Sequence, residues 1–99
     1  MEIKYRLLIV DDEQLERQAI KFIVDRRCPN IEIIGEADEG ELACQLASKY
    51  LPDIILMDIR MPAMNGLEAV KHIRQHLPNV KVIFLTINVA IKLSQIVKA

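Results

Sequence analysis

Four short apolar runs, separated by stretches of helical periodicity, constrain this chain more than any other feature. They are "RLLIV" (6–10), "IEIIGEA" (31–37), "DIILMD" (53–58) and "KVIFLT" (81–86). Each is too short for a helix, and the runs are rich in branched residues. Strands of a parallel sheet look like this, because helices cover both faces. Between the runs, residues 13–27 carry Leu15, Ala19, Phe22 and Ile23 at helical spacing, and Pro29 stops the pattern. Residues 39–50 carry Leu42, Ala43, Leu46, Ala47 and Tyr50, and Asp38 with Glu41 reads as a capping box. Residues 66–76 carry Leu67, Val70 and Ile73, followed by Leu77; Asn65 with Glu68 gives a second box, and Pro78 a stop. Residues 87–98, apolar at Val89, Ala90, Leu93, Ile96 and Val97, predict a last helix. The order βαβαβαβα predicts an α/β fold with right-handed crossovers, in one domain spanning residues 1–99.

In such sheets, ligands gather outside the carboxyl ends of the strands. The first strand ends at Asp11, Asp12 and Glu13, the third at Asp58 and the fourth at Thr86. Acids packed together repel, and desolvation adds to the cost, so a bound cation would relieve both. The candidate ligands are hard oxygens with no His or Cys among them, which selects Mg²⁺ or a similar ion over zinc. An aspartate beside such an ion can attack phosphorus and form an acyl phosphate.

"LLIVDDE", "DIILMDIRMPAMNG" and "VIFLT" resemble the receiver domain of bacterial two-component response regulators, over about Arg6 to Thr86. The likeness is greatest to receivers fused to arabinose-regulator-type DNA-binding domains. It implies a flavodoxin-like parallel sheet of order 2-1-3-4. It also implies Asp58 as phosphoacceptor, with Mg²⁺ held by Asp11, Asp12, Asp58 and the backbone carbonyl of Arg60. Met61 and Pro62 would shape the loop after Asp58, Gly66 would let the backbone bend into the next helix, and Thr86 would bind a phosphoryl oxygen. The donor would be a phosphohistidine on a sensor histidine kinase, and the output transcriptional.

After Thr86 the pattern departs from the family. Its lysine on a fifth strand has no counterpart in "INVAIKLSQIVKA": Lys92 and Lys98 fall on the expected last helix, and Lys81 opens the fourth strand. The expectation is a receiver cut short after its fourth strand and helix, with weak phosphorylation and an apolar fourth-strand edge. Such an edge pairs readily with another chain, so a homodimer or domain-swapped assembly is expected. Two alternatives stand beside signalling. One is a degenerate receiver serving only protein contact. The other is a small Mg²⁺-dependent phosphohydrolase, which would want an acid where Arg60 stands; non-enzymatic signalling is the preferred reading.

Other features read as structural. Asp12 alone could cap the first helix, and Glu13 fits a solvated first-turn acid. His72 and His76, four apart, would share a solvated helix face rather than bind metal, and Met57, Met61 and Met64 read as packing residues. Cys28 and Cys44 have no CxxC spacing and fit reduced thiols. Thirteen basic and fourteen acidic residues leave a net charge of −1, which argues against coating nucleic acid or an anionic membrane. No apolar segment is long enough for a signal peptide or a span, so a cytoplasmic location is expected.

Overall fold

The computed structural model describes residues 3–59 and 66–85. The elements are β1 (Tyr5–Val10), α1 (Gln14–Arg27), β2 (Ile31–Ala37), α2 (Gly40–Tyr50), β3 (Ile54–Asp58), α3 (Gly66–His76) and β4 (Lys81–Leu85). All pairings are parallel, and the strand order is β2-β1-β3-β4, as the family resemblance implied. The expected helix over residues 87–98 lies outside the described residues.

β1 is central, and its last four residues, Leu7 to Val10, are buried. Successive side chains of a strand point to opposite faces, and β1 divides accordingly. Leu8 and Val10 join Ile55, Met57, Ala43, Ala47, Ala69, Val70 and Ile73 in a core beneath α2 and α3. Leu7 and Ile9 join Ile20 and Val24 beneath α1. The alanines on α2 and α3 let both helices lie close to the sheet. In β2 one extra residue enters opposite Leu7 and Leu8, whose partners are Ile33 and Gly35.

Two helices turn a different face inward from the one their sequence suggests. On α1 the buried residues are Glu16, Ile20 and Val24. Leu15 and Phe22, expected in the buried stripe, are 64% and 58% exposed, and Ile23 is also exposed. Phe22 instead lies beneath the Arg26 guanidinium, 4.4 Å from ring centroid to Cζ. On α3 Ala69 takes the place expected of Leu67, which is 56% exposed. The α2 stripe is as expected, but its cap is one residue later: Glu39, not Asp38, accepts a hydrogen bond from the Leu42 amide at 3.2 Å. That helix closes on Leu51 in the left-handed region, φ 52°, unusual for a residue other than glycine. Asn65 of the second expected capping box is outside the described residues. Both cysteines are free thiols, and burial pushes the Cys44 thiol up from its ordinary range.

Candidate functional site

The site forms where β1 and β3 run out. The Asp11 amide still donates to the Ala37 carbonyl at 3.0 Å, so strand pairing carries one residue past β1 and fixes where the Asp11 side chain departs. That side chain is fully buried. Its Oδ1 accepts from the Glu13 amide at 2.9 Å, which orients the carboxylate against the entry to α1. Its Oδ2 is buried and, among the described residues, has no hydrogen-bond donor. Asp58, half-buried, is the last residue of β3, in register with Leu85 of β4.

A third acid enters from α1. One carboxylate oxygen from each of Asp11, Glu16 and Asp58 lies within 4.8 Å of the others. Three negative charges at that separation cannot all persist away from water without compensation. The strain shows on Glu16, whose carboxyl is pushed up to about 8. Its hydrogen bond with Asp11 is the largest cause, followed by burial and the charges of Asp11, Glu13 and Asp58. Two ionised carboxylates cannot hydrogen-bond to each other, so either a proton on Glu16 or a cation must satisfy the orphaned Asp11 oxygen. Asp12 is exposed and lies outside this group of three.

Arg17, the next residue of α1, braces the corner. Its Nη1 donates to the Asp11 carbonyl at 2.7 Å and its Nε to Glu36 Oε1 of β2 at 2.9 Å. Lys21, one turn on, donates to Glu36 Oε2 at 2.7 Å. Together Lys21 and Arg17 hold the Glu36 carboxyl below the usual carboxylate range. On the other side, Gly66 opens α3 against the end of β3, and its amide donates to the Ile59 carbonyl at 3.2 Å. A Cβ there would sit 2.6 Å from the Asp58 carbonyl oxygen and 2.8 Å from Ile59 Cα. The family resemblance implies a bend at Gly66, but no described glycine has positive φ. Close approach of two backbones is what requires glycine at this position.

Of the residues expected at the site, Asp11, Asp58 and Gly66 come together. Arg60, Met61, Pro62 and Thr86 lie outside the described residues. Glu16 and Arg17 were missed by sequence reasoning. The available signal was an acid at 16, in step with Ile20 and Val24 on the i, i+4, i+8 line that faces the sheet. His72 and His76 are exposed, as expected, at the rim of a cavity of about 420 Å³ between α2 and α3 that Cys44 and Glu41 also line. Among the described residues, Asp11, Glu16 and Asp58 form the one group of three with donor atoms close enough to share a metal ion. Their oxygens are hard donors suited to Mg²⁺ or Mn²⁺, and the buried Asp11 Oδ2 could accept such a cation.

Comparison with known proteins agrees with this fold. The family model described as the response regulator receiver domain matches residues 7–99, running past the Thr86 limit seen by motif alone. The transcriptional regulatory protein DegU of Brevibacillus brevis is 44% identical over 87 residues, 88% of this chain and 36% of its own length. A protein-glutamate methylesterase/protein-glutamine glutaminase of Alkalilimnicola ehrlichii is 42% identical over 82 residues, 83% of this chain and 21% of its own. The receiver domain of AraT, a response regulator from Geobacillus stearothermophilus, superposes with a TM-score of 0.76 at 36% identity, covering 83% of this chain and 64% of that one.

Proposed function

Because the chain belongs to the response regulator receiver family, we propose that it accepts a phosphoryl group on Asp58 in a phosphorelay that controls an attached output. The observation that carries this is the convergence of Asp58 with two further acids at the carboxyl rim of the parallel sheet. An Asp58 oxygen attacks the phosphorus of a phosphohistidine on a sensor histidine kinase. A P–O bond forms as the P–N bond to the donor breaks, and Asp58 becomes an acyl phosphate. A bound Mg²⁺ would supply neutralisation of the charge spread over the transferring oxygens. Asp11 and Asp58, with Asp12 and the Arg60 carbonyl, would hold it. Thr86 would hydrogen-bond the phosphoryl group, Met61 and Pro62 would shape the loop after Asp58, and Gly66 keeps α3 close to that strand end. The chain spans about a third of DegU and less of the methylesterase. The output, and the fusion to an arabinose-regulator-type DNA-binding domain, are accordingly part of the proposal, as is a receiver that itself performs no enzymatic reaction. Incubation with acetyl phosphate and Mg²⁺, followed by intact-mass measurement, tests it. The protein should gain one phosphoryl group that Asp58→Asn abolishes; an adduct unchanged by that substitution would defeat the assignment.

Among the described residues β4 pairs with β3 alone, and its Ile83 and Phe84 are 44% and 38% exposed. We infer that this edge joins a second copy in a homodimer or domain-swapped assembly, since such edges template pairing. Sedimentation should show the assembly dissociating in Ile83→Lys. No described helix is long and apolar enough to cross a membrane. Membership of the receiver family supports the proposal of a cytoplasmic protein, and the near-neutral charge that of a segment touching neither membrane nor nucleic acid.

A further inference from the structure

Glu16 is 6% exposed and lies, through the i, i+4, i+8 line with Ile20 and Val24, on the face of α1 turned to the sheet. An acid placed there is removed from water beside two others, a cost that proteins carry when a cation answers it. The ion pairs formed by Arg17 and Lys21 go to Glu36 rather than to Glu16. The second observation is the fully buried Asp11 Oδ2, which among the described residues has no hydrogen-bond donor, although one Asp11 carboxylate oxygen lies within 4.8 Å of a carboxylate oxygen of both Glu16 and Asp58. A small dication would answer both the buried acids and the unsatisfied Asp11 oxygen, where a proton on Glu16 would answer only the second.

Building on the receiver reading above, we propose that Glu16 is a direct ligand of the divalent ion, making this a three-carboxylate site of Asp11, Glu16 and Asp58. Magnesium sites usually take one or two carboxylates and keep several waters. A third carboxylate raises the negative ligand charge and replaces a water. The site then binds dications more tightly, and it accommodates Mn²⁺, which carboxylates also suit. Asp12 is exposed and lies outside this group of three.

The test is calorimetric titration of the full chain with MgCl₂ and with MnCl₂, comparing wild type with Glu16→Gln and Glu16→Asp. Circular dichroism melts establish that each variant is folded. Gln keeps the shape and can donate a hydrogen bond to Asp11, but it loses the charge; Asp keeps the charge and loses the reach. Direct ligation predicts that both variants weaken binding about tenfold or more, on the scale of lost metal-site contacts. Wild-type affinity in Glu16→Asp would reduce Glu16 to a through-space charge and overturn the proposal. Wild-type affinity in Glu16→Gln would reduce it to a neutral hydrogen-bonding group and overturn it equally. If Glu16→Gln does not fold, Glu16→Asp decides alone. A wild-type protein that binds neither ion would sink the metal site itself. Binding by wild type with unchanged Glu16 variants would sink only the role of Glu16.

Discussion

Replacing Gly66 by alanine probes how the acidic corner at the end of β3 is built. The new methyl carbon would sit 2.6 Å from the Asp58 carbonyl oxygen, 2.8 Å from Ile59 Cα and 2.9 Å from Met57 Cγ. Two of those atoms are backbone and cannot swing aside. Favourable carbon contacts begin near 3.5 Å, so α3 must retreat from Ile59 Cα by roughly 0.7 Å or the end of β3 must move. Overpacking of this sort costs about 1–3 kcal/mol. Gly66 is the first residue of its helix, so alanine recovers little interior helix propensity there. For a domain this size, about 4–8 °C of melting temperature follows each kcal/mol, which predicts a drop of roughly 5–20 °C. In urea the midpoint should fall by on the order of 1 M with an unchanged slope. Gly35→Ala is the internal control. A Cβ at Gly35 meets Leu8 Cδ1 at 3.6 Å and Leu46 Cδ1 at 4.0 Å, ordinary contacts. It should be neutral or stabilising by up to about 1 kcal/mol, because glycine weakens a strand interior. Gly66→Ala should also slow acetyl-phosphate labelling of Asp58, since the displaced carbonyl is that residue's own. Unfolding of Gly66→Ala and Gly35→Ala within about 0.5 kcal/mol of each other, the scatter of innocuous substitutions, would refute the close-approach role of Gly66.

Other perturbations follow from the same contacts. Arg17→Met removes the bond to the Asp11 carbonyl and half the Glu36 pairing; it should cost about 2 kcal/mol in denaturant titration, the scale of hydrogen bonds involving charged groups. In the same variant the Glu36 carboxyl should titrate closer to its ordinary value by NMR. Leu51→Gly should stabilise by about 1 kcal/mol, because a left-handed cap strains leucine and not glycine. The Glu36 carboxyl is lowered in the folded protein, so its contribution is present above about pH 4.5 and disappears as pH falls through the folded value. Glu16 has the opposite sign. Its carboxyl is raised from 4.5 to about 8, so its contribution is full below pH 4.5 and is lost as pH rises toward 8. In chelator, unfolding midpoints should fall across that window in wild type and stay flatter in Glu16→Gln.

The alternation of branched apolar runs with helical stretches determined the parallel α/β sheet, because period and length alone separate strands covered on both faces from helices. The same reading placed Asp11 and Asp58 at strand ends, since a carboxylate closing a buried run has only the rim of the sheet to occupy. Which face each helix turns inward was decided in three dimensions. On α1 several apolar residues compete, and helical spacing is met by Leu15–Ala19–Phe22 as well as by Ile20–Val24. The sheet accepts the second line, and Glu16 travels inward with it. Likewise, nothing in the residues around Gly66 announces that α3 opens so near β3 that a Cβ on its first residue would sit 2.6 Å from the Asp58 carbonyl oxygen. Periodicity is a property of neighbours along the chain; contact between β1, β3 and the start of α1 depends on packing between segments far apart in sequence. That packing is what sets Glu16, rather than Asp12, beside the two strand-end acids.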